Sequence, residues 1–378
     1  MTSQLRVAIA LSGFHRVHRG AENALLAIAS ELQNQGVDVT LFGGGPRPGT
    51  KAEASNQPRY VSLPTRSRVD LEHLPTPRAL VPDAMAWEDL LFSAKLLKAF
   101  QPGSFDATMT CAYPWTSWAL RSASRLRPRT ARPAHVFVTE NGDWPAFSND
   151  REFRLFSCDG LVCTNPEYFE RNAEHWNATL IPNGVDPERF AHSNTLRKRL
   201  GLDPTVPVVL MVSAIAANKR VAEGIRAVAS LEGVTLVVAG DGPDRTEVDA
   251  LGSALLGERY HRLTIPLDEM PSLYRSANVV LHLALDESFG NVYIESLASG
   301  VPLVGPDLAH TRWIFGEDAL LIDTGEISSI ASALQRVIDG SWSLPSGAVE
   351  RCVERFSWES IGRQYREFLV QVVERRRS

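Results

Sequence analysis

Glu287-Ser288-Phe289-Gly290-Asn291-Val292-Tyr293-Ile294-Glu295 runs directly into Ser296-Leu297-Ala298-Ser299-Gly300-Val301-Pro302. Two carboxylates stand here with seven residues between them. The second falls inside a short helical pattern. Gly300 can close that helix in a left-handed turn, and Pro302 follows just beyond. Leu303-Val304 then reads as the next strand. One acid therefore sits at a strand end and the other on the first turns of the following helix. In an open α/β sheet that crevice is where ligands bind.

The spacing has a chemical logic. Backbone N–H groups of Gly290, Asn291 and Val292 are expected at a helix start, where about half a positive charge suits a phosphate. Gly290 lets the backbone approach closely. Glu287 and Glu295 accept hydrogen bonds and do not favour a phosphate, so they suit hydroxyls on either side of it. A nucleotide sugar carries hydroxyls on both sides of a diphosphate. From spacing alone, an ordinary strand–turn–helix with two solvated acids reads equally well.

The Glu-x7-Glu pattern, with Ser-Phe-Gly-Asn inside it and Ser-Gly-Val-Pro after it, resembles the donor-binding signature of retaining GT-B glycosyltransferases of the large GT4 group (glycosyl transferases group 1). Other segments resemble that family in the same order. Leu180-Ile181-Pro182-Asn183-Gly184-Val185-Asp186 is similar to the entry to its second domain. Val212-Ser213-Ala214 followed by Lys219-Arg220 is similar to its phosphate-binding turn. Leu236 to Pro243, containing Gly242, is similar to the next strand and turn. The likeness covers most of the C-terminal half and, more thinly, the N-terminal half. It implies an α/β GT-B fold, two Rossmann-like domains facing across a cleft. It also implies that Glu287 meets the transferred sugar, that Glu295 meets the ribose, and that Phe289 to Val292 supply backbone donors.

At 378 residues the chain exceeds the usual size of a single core, so two domains are expected. A net charge of −5 gives no support to a nucleic-acid partner. No apolar run is long enough to span a bilayer. Leu5 to Leu11 is short and leads into a His/Arg-containing loop, so it reads as a first strand and not a signal peptide. The four cysteines, Cys111, Cys158, Cys163 and Cys352, form no C-x-x-C pair and read as buried thiols of a reducing, cytoplasmic compartment. Cys158 and Cys163 lack the companions a metal site needs.

Apolar runs alternate with helical patterns almost throughout, which argues a parallel sheet with crossover helices. Strands are expected at 7–11, 37–42, 106–111, 135–139, 160–163 and 178–181, then at 207–213, 234–239, 261–265, 278–283, 302–305 and 319–322. Helices are expected at 21–34, 85–99, 219–230, 291–299 and 327–338. Residues 44–83 read as a long excursion with little periodicity. Turn dipeptides place the linker near 183–192. The expected divisions are 1–185, an acceptor-binding domain; 186–356, a nucleotide-sugar-binding domain; and 357–378, a helix that the family likeness returns to the first domain.

Lys219 and Arg220 are cations placed to stabilise the charge of a leaving diphosphate; removing one such donor typically costs about 10²–10³ in rate. Many family members carry an Arg near the place of Ala214, so Arg220 or a greater share for Lys219 would compensate. Gly13 and Gly20 frame the first loop, whose Gly20-Ala21-Glu22 end resembles the family's glycine-containing turn, with Arg19 where a second glycine usually stands. His15 and His18 lie in the same loop and read more readily as solvated than as catalytic. Thr139-Glu140-Asn141-Gly142-Asp143 follows an apolar strand where many family members place a His. Asp143 and Asn141 are candidates to orient the acceptor hydroxyl or take its proton; a capped glycine turn is the plainer reading. Arg121, Arg125, Arg127, Arg129 and Arg132, near Trp115 and Trp118, leave room for peripheral contact with an anionic membrane surface. A solvated helix end accounts for them as well.

There is no D-x-D and no P-loop pattern. These absences suit a metal-independent reaction, and the family resemblance implies transfer of a hexose, with retention, from a nucleoside-diphosphate sugar to a hydroxyl on a glycan, a lipid-linked molecule or a small molecule. No cofactor and no metal are expected. A nucleotide-sugar epimerase or hydrolase on the same fold, or a non-catalytic nucleotide-sugar-binding protein, remain alternatives.

Overall fold

The computed structural model describes residues 4–17, 19–46, 56–66, 68–76, 81, 83–125, 127–148, 150, 153–191 and 194–378. The chain divides into two units, Met1–Asn183 with Trp358–Ser378, and Gly184–Ser357.

In the first unit the strands are β1 (Arg6–Leu11), β2 (Asp38–Gly43), β3 (Arg59–Ser62), β4 (Ala107–Thr110), β5 (Ala134–Val138), β6 (Gly160–Cys163) and β7 (Ala178–Leu180), most of them apolar runs. They pair in parallel in the order β3-β2-β1-β4-β5-β6-β7. Helices cover the sheet, which is why its central strands are apolar on both faces. The helix Gly20–Asn34 buries Leu25, Ile28 and Leu32. The helix Trp358–Arg377 joins the same core through Ile361, Tyr365, Phe368, Leu369 and Val372. Gly160 permits this contact: a Cβ there would fall 2.7 Å from a methyl of Val372.

The second unit holds β8 (Val208–Val212), β9 (Thr235–Ala239), β10 (Tyr260–Leu263), β11 (Val279–Leu281), β12 (Leu303–Pro306) and β13 (Leu320–Ile322). All neighbours are parallel, in the order β10-β9-β8-β11-β12-β13. This is the doubly wound order, and it reverses direction between β8 and β11. Connections leave the C-terminal ends of these two neighbours toward opposite sides, which opens a crevice there.

The expected strands appear within two residues of their read positions. The strand β3 was hidden in the 44–83 excursion, because an edge strand bearing Arg59 and Ser62 has no apolar alternation. Val185 donates to the Phe356 carbonyl at 2.8 Å and bridges Ser357, so it belongs to the second unit. The division accordingly falls after Asn183 and after Ser357. The four cysteines are free; Cys111, Cys163 and Cys352 are buried, whereas Cys158 is partly exposed. Among the described residues no helix is long and apolar enough to cross a membrane.

Leu369 is fully buried where the Trp358–Arg377 helix enters the first core. Leu369→Ala is expected to lower stability by about 2–5 kcal/mol, read from urea unfolding followed by tryptophan fluorescence.

Candidate functional site

The two loops flanking the strand-order reversal of the second unit carry the most concentrated chemistry. After β8 the chain runs through Ser213 to a short turn at Ala217–Lys219 and then the helix Val221–Ala229. After β11 comes His282, followed by the loop to Glu287 and the helix Asn291–Ala298. The loops meet through side chains. Lys219 Nζ donates to Glu287 Oε1 at 2.6 Å, and His282 Nε2 lies 2.9 Å from the same oxygen. Burial alone would raise the Glu287 carboxyl. The hydrogen bond and charge of His282, with Lys219, outweigh it and hold the group at about 2. An ionised carboxylate only accepts, so His282 carries its hydrogen on Nε2. Tyr293 packs edge-on against the His282 ring, with centroids 5.0 Å apart.

Gly290 stands immediately before the helix in the left-handed region, with φ of 84°. A Cβ there would fall 2.6 Å from the Tyr293 ring. The helix has no side-chain cap at this end. Phe289 is buried, and its carbonyl accepts from His310 Nε2 at 2.7 Å, which fixes the loop ahead of Asn291 and Val292. Glu295 lies one turn further on. Its Oε2 accepts from the Tyr274 hydroxyl at 2.7 Å. Burial lifts the Glu295 carboxyl above its ordinary range, against the opposing effects of the Tyr274 bond and the Arg189 charge.

Ser213 and Gly242 occupy adjacent turns at this end of the sheet. Backbone packs on backbone there: a Cβ on Gly240 would fall 1.9 Å from the Ser213 carbonyl oxygen, and one on Gly242 would fall 2.2 Å from that of Ile215. Arg220 departs from the expected phosphate role. Its guanidinium donates to Thr324 Oγ1 at 2.8 Å, to the Thr324 carbonyl at 2.7 Å, to the Leu283 carbonyl at 3.3 Å and to Glu223 at 3.2 Å. These bonds brace a backbone held at φ of 57°, a conformation costly for a side-chain-bearing residue. Arg220 therefore acts as a strut and leaves Lys219 as the cation on Glu287.

The candidates of the first unit are distributed differently. Asp143 is buried and spent: Arg171 donates to its two oxygens at 2.6 and 2.9 Å, and Asn172 donates at 2.7 Å. It anchors the helix Pro166–Asn172, so both oxygens of this candidate for orienting the acceptor hydroxyl or taking its proton are occupied within the protein. Asn141 is exposed, with its amide 3.5 Å from Cys111 Sγ. Gly13 lies under Glu22, whose Oε1 would be 2.1 Å from an added Cβ, and Gly20 is the first residue of the Gly20–Asn34 helix. His15 packs edge-on against Tyr60, and His18 lies outside the described residues.

Sequence reading missed His282, whose signal is a histidine inside the run Val279-Val280-Leu281-His282-Leu283. It also left Tyr274 and Glu140 without roles. Glu140 is buried, and burial pushes its carboxyl up to about 7; Asn183 donates to its Oε2 at 3.0 Å.

The profile described as Glycosyltransferase Family 4 matches residues 18–189, and that of Glycosyl transferases group 1 matches residues 192–353. The chain belongs to this family of glycosyltransferases. It is an enzyme, and its fold is GT-B. Among relatives of this glycosyltransferase, the lipopolysaccharide core biosynthesis glycosyltransferase LpsE of Rhizobium meliloti is 28% identical, over 67% of this chain and 74% of its own. A D-inositol 3-phosphate glycosyltransferase of Xylanimonas cellulosilytica is 29% identical, over 93% of this chain and 91% of its own. Among solved structures, the sucrose-phosphate synthase of Thermosynechococcus elongatus has a TM-score of 0.78 at 19% identity, covering 98% of this chain and all (100%) of its own. Anabaena HepE, solved in complex with UDP-glucose, has a TM-score of 0.74 at 18% identity, covering 97% and 100%.

Glu287 lies below its ordinary value of 4.5 in the folded protein. Its contribution to stability is therefore complete above 4.5 and is lost as pH falls from there toward about 2. Glu287→Gln is expected to be less stable than the wild type at neutral pH, with the gap narrowing as the medium is acidified below 4.5; urea midpoints at stepped pH measure it.

Proposed function

We propose that this glycosyltransferase moves a hexose from a nucleoside-diphosphate sugar to a hydroxyl acceptor. The observation that carries the reading is the contact of Lys219 with Glu287 at the strand-order reversal, beside an uncapped helix start at Gly290. Lys219 holds the diphosphate together with the amides around Asn291 and Val292. When the phosphate arrives it takes over the lysine, and Glu287 is released to accept from sugar hydroxyls. His282 keeps hold of Glu287, so the carboxylate stays ionised and aimed through the exchange. Glu295, steadied by Tyr274, accepts from the ribose.

The family likeness supports retention at the anomeric carbon. Lysine and amide dipoles supply positive potential at the leaving diphosphate, which suits a metal-independent reaction. Asp143 is locked by Arg171 and Asn172, so the departing phosphate oxygen is the better candidate to receive the acceptor proton. The first unit supplies acceptor recognition for a glycan, a lipid-linked or a small-molecule hydroxyl. The free thiols fit a cytoplasmic setting.

Thermal unfolding with UDP, GDP, ADP and dTDP identifies the base; a nucleotide at 100 times its dissociation constant is expected to add about 2.7 kcal/mol. With the matching labelled donor, Lys219→Ala is expected to lose about 10²–10³ in kcat, and Glu295→Gln to raise the donor KM. No shift with any of the four nucleotides, or full transfer by Lys219→Ala, would overturn the proposal.

A further inference from the structure

A recess lined by arginines lies on the first unit, at the N-terminal ends of its strands. Arg6 opens β1, Asp106 precedes β4 and Ala134 opens β5. The turn at 127–132 and the last turn of the Trp358–Arg377 helix close the recess around a volume of about 230 Å³. Arg6, Arg127, Arg132, Arg376 and Arg377 line it, with Asp106 as its one carboxylate. Two runs of arginine far apart in sequence thus converge, in a chain whose net charge is −5.

The local charges do not balance. Asp106 is shared by Arg6 at 3.1 Å and Arg377 at 2.6 Å. Arg376 reaches Asp159 through Nη1, yet its Nε is buried without a partner. Arg132 donates to the carbonyls of Arg127 and Arg125, both at 2.7 Å, and makes no ion pair among the described residues. Arg127 makes no ion pair among the described residues, and its guanidinium lies over Gly103, where a Cβ would fall 2.4 Å from Nη2. Among the described residues the five guanidiniums make ion pairs with two carboxylates, Asp106 and Asp159, and Asp38 adds only a further attraction on Arg6. Like charges so gathered repel, and a multivalent anion relieves that repulsion. Planar guanidinium forks match phosphate oxygens in geometry as well as charge. The volume is below the range of about 300–1,000 Å³ for sites that enclose a whole drug-sized ligand, so it suits a small anion or one head group of a larger molecule.

We propose that this recess binds a phosphate group, carried either by a small soluble molecule or by a phospholipid head group. Trp115 and Trp118 are not part of it; they pack edge-on against each other, 5.2 Å apart.

The test uses full-length Lys219→Ala protein, so that the donor site does not report. Inorganic pyrophosphate is titrated by calorimetry at low salt, and flotation is measured with phosphatidylcholine vesicles with and without phosphatidylglycerol. Binding is expected to weaken about tenfold or more in Arg127→Glu, and also in Arg127→Ala, which introduces no new charge. Added salt is expected to weaken it further. Pyrophosphate binding with flotation indifferent to the lipid identifies a soluble source; flotation that requires phosphatidylglycerol and is lost in both variants identifies a lipid source. Arg127→Glu with Lys219 intact is expected to keep wild-type nucleotide affinity, which separates this site from the donor site. No binding of either probe, or binding by both Arg127 variants as tight as that of the parent protein, would overturn the proposal.

Discussion

One ion pair organises the second unit. Lys219 and Glu287 are 68 residues apart in sequence and meet at 2.6 Å because the strand order reverses between β8 and β11. Each loop alone is a strand–turn–helix of ordinary kind. Their side chains converge because two neighbouring parallel strands send their connections to opposite sides of the sheet. The result is a cation and an anion facing the same space, with a helix start beside them.

Such a pair is poor evidence of stability, since desolvating two charges offsets much of their attraction. Its chemical consequence is clearer. Glu287 is held at about 2, and so remains an acceptor throughout the working pH range. The neighbouring parts keep it in place. His282 holds Glu287 from behind, Tyr293 packs on His282, and Gly290 lets the chain turn over Tyr293. Arg220 ties the first loop to Thr324 and Leu283. These contacts fix the geometry of both loops, and the proposed reaction needs such a preorganised site.

Much of this was legible in the sequence, and the reasons differ by residue. Buried parallel strands are continuous apolar runs, so twelve of them stood out. Glu287, Gly290 and Glu295 were legible because one short segment spans strand end, turn and helix. Lys219 was legible from its place after β8. Adjacent cations look alike in sequence, so the different setting of Arg220 was not legible: its left-handed backbone turns it toward Thr324. The partners of Asp143, Arg171 and Asn172, lie one strand and one turn away, beyond local pattern, so its pairing was not legible. The converging arginines at 127–132 and 376–377 depend on a helix packing that no local spacing encodes.

In the proposed reaction Lys219 exchanges Glu287 for the diphosphate of the donor. Calorimetric titration of the matching nucleoside diphosphate into wild type, Lys219→Ala and Glu287→Gln tests it most directly. Freed from its carboxylate, Lys219 in Glu287→Gln is expected to bind the nucleotide at least as tightly as wild type, while Lys219→Ala binds it about tenfold more weakly or worse. Unchanged affinity in Lys219→Ala, or equal losses in both variants, would contradict the exchange.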